Sequence, residues 1–270
     1  MVDTAEAEAA VKDIVDKMVM SDASSVLSAT LAVFQLMNKD TTAKEESWKF
    51  AKVFAPEMMK GMGAHPRNAE VQRIGLLLLL IACGNTDGYG YLIVDGVPVL
   101  VSALGMCLTC KLSPLNKLEG FAEICEGMAG SNREFEHLVL TLLMKFCEPD
   151  KGLAAVEAGA IPKLVKAIAY TADNGASDAA RELLIECKNN EIELLRLLVM
   201  NHPKYTDDAI NAGACDVVLA AVKTFGDDED LPQSAAGLLS LMLEDEDCRE
   251  AVEAAMRDPK VKEAIGEMLS

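Results

Sequence analysis

Cys107-Leu108-Thr109-Cys110 places two thiols at the spacing of zinc ligands. A structural zinc site takes four ligands. Nearby in sequence, only Cys125 and His137 remain to complete a set, and neither belongs to a second Cys-x-x-Cys. Positions three apart share a face of a helix, so the two read as core thiols and not as a metal site. The glycine-rich stretch 84–90, with Asp87 inside it and Asp95 beyond, is the best hook for a nucleotide. It lacks both the Gly-x-Gly-x-x-Gly and the Walker spacing, and it follows a helix where a phosphate loop follows a strand. Asp227-Asp228-Glu229-Asp230 and Glu244-Asp245-Glu246-Asp247 lack the alternation and central glycine of a calcium loop. Both read as solvated loops, and the first is placed to steer a basic partner. His65 and His202 each precede a proline, at Pro66 and Pro203, with no carboxylate and nucleophile arranged as a triad. These residues predict no catalytic centre, no metal and no cofactor. A nucleotide-binding regulator or enzyme on a helical frame is the alternative from another class.

Composition points the same way. Aromatic residues are only 4% of the chain, while Leu, Ala, Val, Met and Glu dominate, which suits helices better than strands. The net charge of −18 repels phosphate backbones, so neither nucleic acid nor an anionic membrane is expected as the main ligand. A partner with a basic segment fits better, and acidity also keeps an apolar-rich chain in solution. The eight cysteines are spread through apolar helical runs, as reduced core thiols are. That implies a reducing, cytoplasmic compartment. Asp3, Glu6 and Glu8 precede any apolar run, unlike the basic start of a secretory signal. The strongest apolar run, 74–83, is too short to span a bilayer, so no direct membrane insertion is expected. The 14 methionines at helical spacing read first as core and second as an adaptable binding surface.

The elements that must position any site are helices. Apolar residues recur at helical spacing from Val11 to Val19, from Val26 to Met37, and onward to the C-terminus. Asn68 is placed to cap the helix leading into the leucine run. Asn189-Asn190 reads as a break between a helix ending near Lys188 and another from Ile192 to Met200. Between helices, one junction recurs. Ala158-Gly159-Ala160-Ile161-Pro162-Lys163-Leu164-Val165 aligns with Val94-Asp95-Gly96-Val97-Pro98-Val99-Leu100-Val101 and with Ala212-Gly213-Ala214-Cys215-Asp216-Val217-Val218-Leu219. Phe54-Ala55-Pro56-Glu57-Met58-Met59 is a weaker copy. Glycine ends one helix where a positive φ is needed, and proline opens the next where its missing N–H costs nothing.

On these residues the chain resembles the armadillo repeat family, whose units join a short helix through a Gly-x-Ile-Pro turn to a second helix and then to a long third one. Glu70-Val71-Gln72-Arg73 running into Leu79 is similar to the start of such a third helix. The resemblance covers roughly residues 24 to 250. The step from Pro56 to Pro98 is 42 residues, within the usual ~40–47. The steps from Pro98 to Pro162 and from Pro162 to Asp216, 64 and 54 residues, predict inserted helices near 117–129 and 177–188. HEAT-like pairing is the runner-up.

The resemblance implies an all-α solenoid, an α-α superhelix of about five armadillo-like repeats. Residues 1–270 would form one domain, with 1–22 an N-terminal capping helix and 232–270 a C-terminal capping unit. It also implies a non-enzymatic scaffold or adaptor that binds a basic or amphipathic segment of a partner on its curved surface. A permanent structural subunit of a large assembly is the alternative. In family members that read import signals, third helices carry a Trp and Asn ladder. The aligned positions here are Leu77, Ile81, Leu140, Met144, Leu194 and Leu198, which argues against an importin-like receptor and makes these six, with Asp227, Asp228, Glu229 and Asp230, the candidate protein-binding residues.

Overall fold

A computed structural model describes Lys12 and Asp16 and residues 58–68, 71, 72, 75, 76, 79, 96–107, 132–146, 152–169, 178–200 and 203–269. Regular structure among the described residues is helical, without a strand, which meets the all-α expectation. The proposed N-terminal cap is represented only by Lys12 and Asp16, both helical. The chain divides into two compact units, Met1–Leu142 and Leu143–Ser270.

In the first unit a helix spans 58–64 and buries Met58, Met59 and Met62. It runs on through Gly61 and Gly63 to Ala64. The turn that follows is closed by side chains. Asn68 Oδ1 accepts the Val71 N–H at 3.1 Å, the cap expected from its position. Buried Gln72 donates its amide to Met62 O at 2.7 Å and to His65 O at 3.1 Å, adding to the backbone bonds that Met62 O takes from His65 N–H and His65 O from Asn68 N–H. A Cβ at Gly75 would lie 2.6 Å from Met62 Sδ, so glycine permits close approach there. Helix α1 (Val97–Cys107) carries Pro98 in its first turn and buries Val97, Leu100, Val101 and Leu104. The division falls within helix α2 (Asn132–Phe146), whose part in the first unit buries Leu138, Val139, Leu140 and Leu142.

The second unit contains two successive helix triplets. The first is α3 (Gly152–Glu157), α4 (Ala160–Ala169) and α5 (Asp178–Met200). The second is α6 (Pro203–Asn211), α7 (Ala214–Phe225) and α8 (Leu231–Met242), followed by α9 (Glu246–Ala255) and α10 (Pro259–Ile265). Counterparts pack on each other: α4 lies against α7, and α5 against α8. The junctions also correspond bond for bond. Ala158 N–H donates to Ala154 O and Gly159 N–H to Val156 O; 54 residues later Ala212 N–H donates to Asp208 O and Gly213 N–H to Ile210 O. Gly159 and Gly213 have φ of 77° and 87°, a region costly for any residue with a Cβ. At the first junction Lys163 also donates to Ala158 O at 3.2 Å, and its burial lowers the ammonium pKa.

The 54-residue step holds no inserted helix at 177–188. Residues 178–200 form one continuous helix of 23 residues, against 12 in α8. Asn189 and Asn190 fail to break it because its centre is anchored from outside. Lys188 and Glu191 are both fully buried. Lys188 Nζ donates to Glu191 Oε2 at 2.7 Å and Oε1 at 2.9 Å, and to Ala167 O at 2.6 Å. Three acceptors match the three protons of an ammonium. Ala167 belongs to the last turn of α4, whose carbonyls lack helical partners, so the lysine also places a cation at the negative end of that helix. The predicted inserted helix at 117–129 lies outside the described residues.

Candidate functional site

Of the six ladder positions, Leu77 and Ile81 lie outside the described residues. Leu140, Leu194 and Leu198 are at most 3% exposed, so their side chains are committed to packing and offer a partner no open face. Met144 is half-buried. Helix α5 packs against both α4 and α8, which spends Leu194 and Leu198 in the core. The acidic loop behaves differently. Glu229 and Asp230 are exposed. Asp227 sits 3.7 Å from Arg181 and keeps most of its side chain in water. Asp228 Oδ1 accepts the N–H groups of Asp230 at 3.1 Å and Leu231 at 2.9 Å, starting α8. Part of this quartet therefore builds the loop, and the rest faces solvent.

The second acidic run has a local structural role. Asp245 is the N-cap of α9, accepting the Cys248 N–H at 2.9 Å, and Glu246 and Asp247 occupy the favourable first turn. Asp258 caps α10 in the same way through Lys260 N–H and meets Lys223 Nζ at 2.8 Å. The hydrogen bond from Lys223, then that from Lys260 N–H, holds the Asp258 carboxyl below the usual carboxylate range. The same bond raises the Lys223 pKa.

The C-terminal helices enclose a cleft of about 970 Å³. Leu243, Val252, Met256, Pro259 and Leu269 supply its apolar lining. Glu253, Glu263 and Glu267 ring it together with Arg249 and Lys262. Val252 and Met256 are one helical turn apart, a pattern visible in the sequence, but spacing along one segment does not carry the concavity that several segments line together. A smaller polar groove of about 700 Å³ beside the acidic loop is lined by Arg181, Lys223 and Lys260 together with Asp227, Asp228 and Glu229. Apolar walls and scattered charges of this kind suit recognition of another chain.

Among the described residues, no three His, Cys, Asp or Glu side chains are grouped to hold a metal ion. Cys107 ends α1, while Cys110, Cys125, Asp87 and Asp95 lie outside the described residues. Among the described residues, no helix is long and apolar enough to cross a membrane. No protein-family model matches the chain, and no curated protein matches it.

Proposed function

We propose that the chain is an armadillo-like α-solenoid acting as a non-enzymatic scaffold in the cytoplasm, and that it takes a basic, amphipathic helical segment of a partner protein. The triplet order, the counterpart packing and the recurring junction bonds support the armadillo reading. The observation that carries the function is the C-terminal cleft. Its lining accepts the apolar face of a helix, and Glu253, Glu263 and Glu267 stand where that helix presents lysine or arginine. Glu229 and Asp230 steer the same partner from a distance.

The test begins with capture of partners from the native source at low and high salt. The captured partner's basic amphipathic segment is then made as a peptide and titrated against the full chain. Met256→Glu is expected to weaken binding at least about tenfold, because it places a charge against the helix's apolar face. Glu229→Lys with Asp230→Lys is expected to slow association and flatten its salt dependence. Affinity untouched by Met256→Glu would overturn the cleft as the site. Partners retained at high salt and lacking such a segment would favour a permanent structural subunit.

A further inference from the structure

Cys215 and Cys248 are 33 residues apart in sequence, on different helices, with their sulfurs 2.7 Å apart. Both are free thiols. Each lies in the first turn of its helix, α7 or α9, where the positive end of the helix dipole favours a thiolate. We propose that these two thiols are a reversible disulfide site, a staple that locks α9 onto α7 when a peroxide-class oxidant is present. Forming the bond requires the sulfurs to approach by about 0.7 Å, to the ~2.05 Å of a disulfide.

The sulfurs are not equivalent. The Cys248 thiol donates to Cys215 Sγ, and the Cys215 thiol donates to the Cys248 carbonyl at 3.6 Å. Once Cys248 ionises, its sulfur accepts a hydrogen bond from the Cys215 thiol, which lowers the Cys248 pKa, while donating that bond, and then burial, raises that of Cys215. Asp216 and Asp245 raise both through their charges. In the proposed step Cys248 is the attacking sulfur. Its thiolate takes one oxygen of hydrogen peroxide, the O–O bond breaks, and hydroxide leaves to be protonated to water. The resulting sulfenic acid is attacked at sulfur by Cys215, which loses its proton. The S–S bond forms, the S–O bond breaks, and a second water departs. Two sulfurs give up two electrons to one peroxide. Exposures of 7% for Cys215 and 2% for Cys248 favour so small an oxidant over bulky disulfides.

The full chain, reduced and then exposed to stepwise hydrogen peroxide, is quenched in acid with an alkylating agent and mapped by mass spectrometry without reduction. The expected product is a Cys215–Cys248 cross-linked peptide pair, two hydrogens lighter, formed while fully buried Cys187 is still recovered alkylated. Dithiothreitol restores both thiols. In the oxidised chain, amide exchange across α9 is expected to slow about tenfold, because the staple blocks local opening of that helix. Cys215→Ser should leave Cys248 oxidised alone. If that variant does not fold, the parent map still decides. Recovery of Cys215 and Cys248 as separate thiols while other cysteines oxidise would overturn the proposal. So would cross-linking with no change in α9 exchange.

Discussion

Replacing Lys188 with methionine removes a buried ammonium and leaves Glu191 inside the second unit without its cation. Both side chains are fully buried, and three short contacts converge on Nζ, so the loss is that of a whole network and not of a surface pair. Breaking a buried pair from one side costs about 3–5 kcal/mol. The loss also frees Ala167 O in the last turn of α4, worth a further ~1–3 kcal/mol where no water reaches it. The double variant Lys188→Met with Glu191→Leu removes both charges, and since paired removal is often neutral or better, it should lie within about 2 kcal/mol of the parent. Urea unfolding of the full chain measures the totals, and amide exchange across α4 and α5 locates them. A double variant as damaged as the two single losses added together would refute this account, as would a Lys188→Met defect below about 1 kcal/mol.

Three other outcomes are expected. Gly213→Ala meets no atom within 4 Å but must hold φ near 87°, so it should lower stability by about 1–2 kcal/mol in urea titration from backbone strain alone. Asn189 Oδ1 is buried without a hydrogen-bond partner among the described residues, and Asn189→Leu should raise stability by about 1 kcal/mol in the same assay. Asp258 is depressed in the folded chain, so its contribution is present above the unfolded carboxylate pKa and disappears as pH falls through the folded value. Asp258→Asn keeps a capping oxygen but no charge. Its thermal midpoint should trail the parent's at pH 5 and converge with it near pH 2.

The junctions were legible in the sequence because they depend on local chemistry. Gly159 and Gly213 were each read as a point needing positive φ, and each has it. Asn68 was read as a cap and accepts the expected N–H. The reading of Asn189-Asn190 as a break rested on propensity, a weak preference that tertiary burial overrides. Nothing local to that dipeptide signals that its neighbour Lys188 reaches a carbonyl 21 residues away. The acidic run 244–247 looked like one solvated patch, yet the Asp245 side chain is a helix cap, a distinction set by a helix start one residue later. The nearness of Cys215 to Cys248 left no trace in spacing at all.

Register explains why these long-range contacts occur where they do. Two triplets of similar helices, packed through leucine and alanine, offer many nearly equivalent ways to slide one layer on the next, and apolar contacts alone discriminate weakly among them. A contact with a single geometric solution removes that freedom. Lys188 supplies one by joining α5 to a particular carbonyl of α4. A lysine shifted by one residue would be buried without its carboxylate or its carbonyl, at a cost larger than apolar slippage recovers. Cys215 and Cys248 join α7 to α9, one layer further on, through a contact whose strength depends on oxidation state. The inner junction is therefore fixed permanently. The outer one, close to the C-terminal cleft, is the one left adjustable, so oxidation of the pair should also change the cleft's capacity to bind. Titrating the captured partner segment against reduced and oxidised chain measures that coupling, and equal affinity for the two would show that the staple and the cleft act independently.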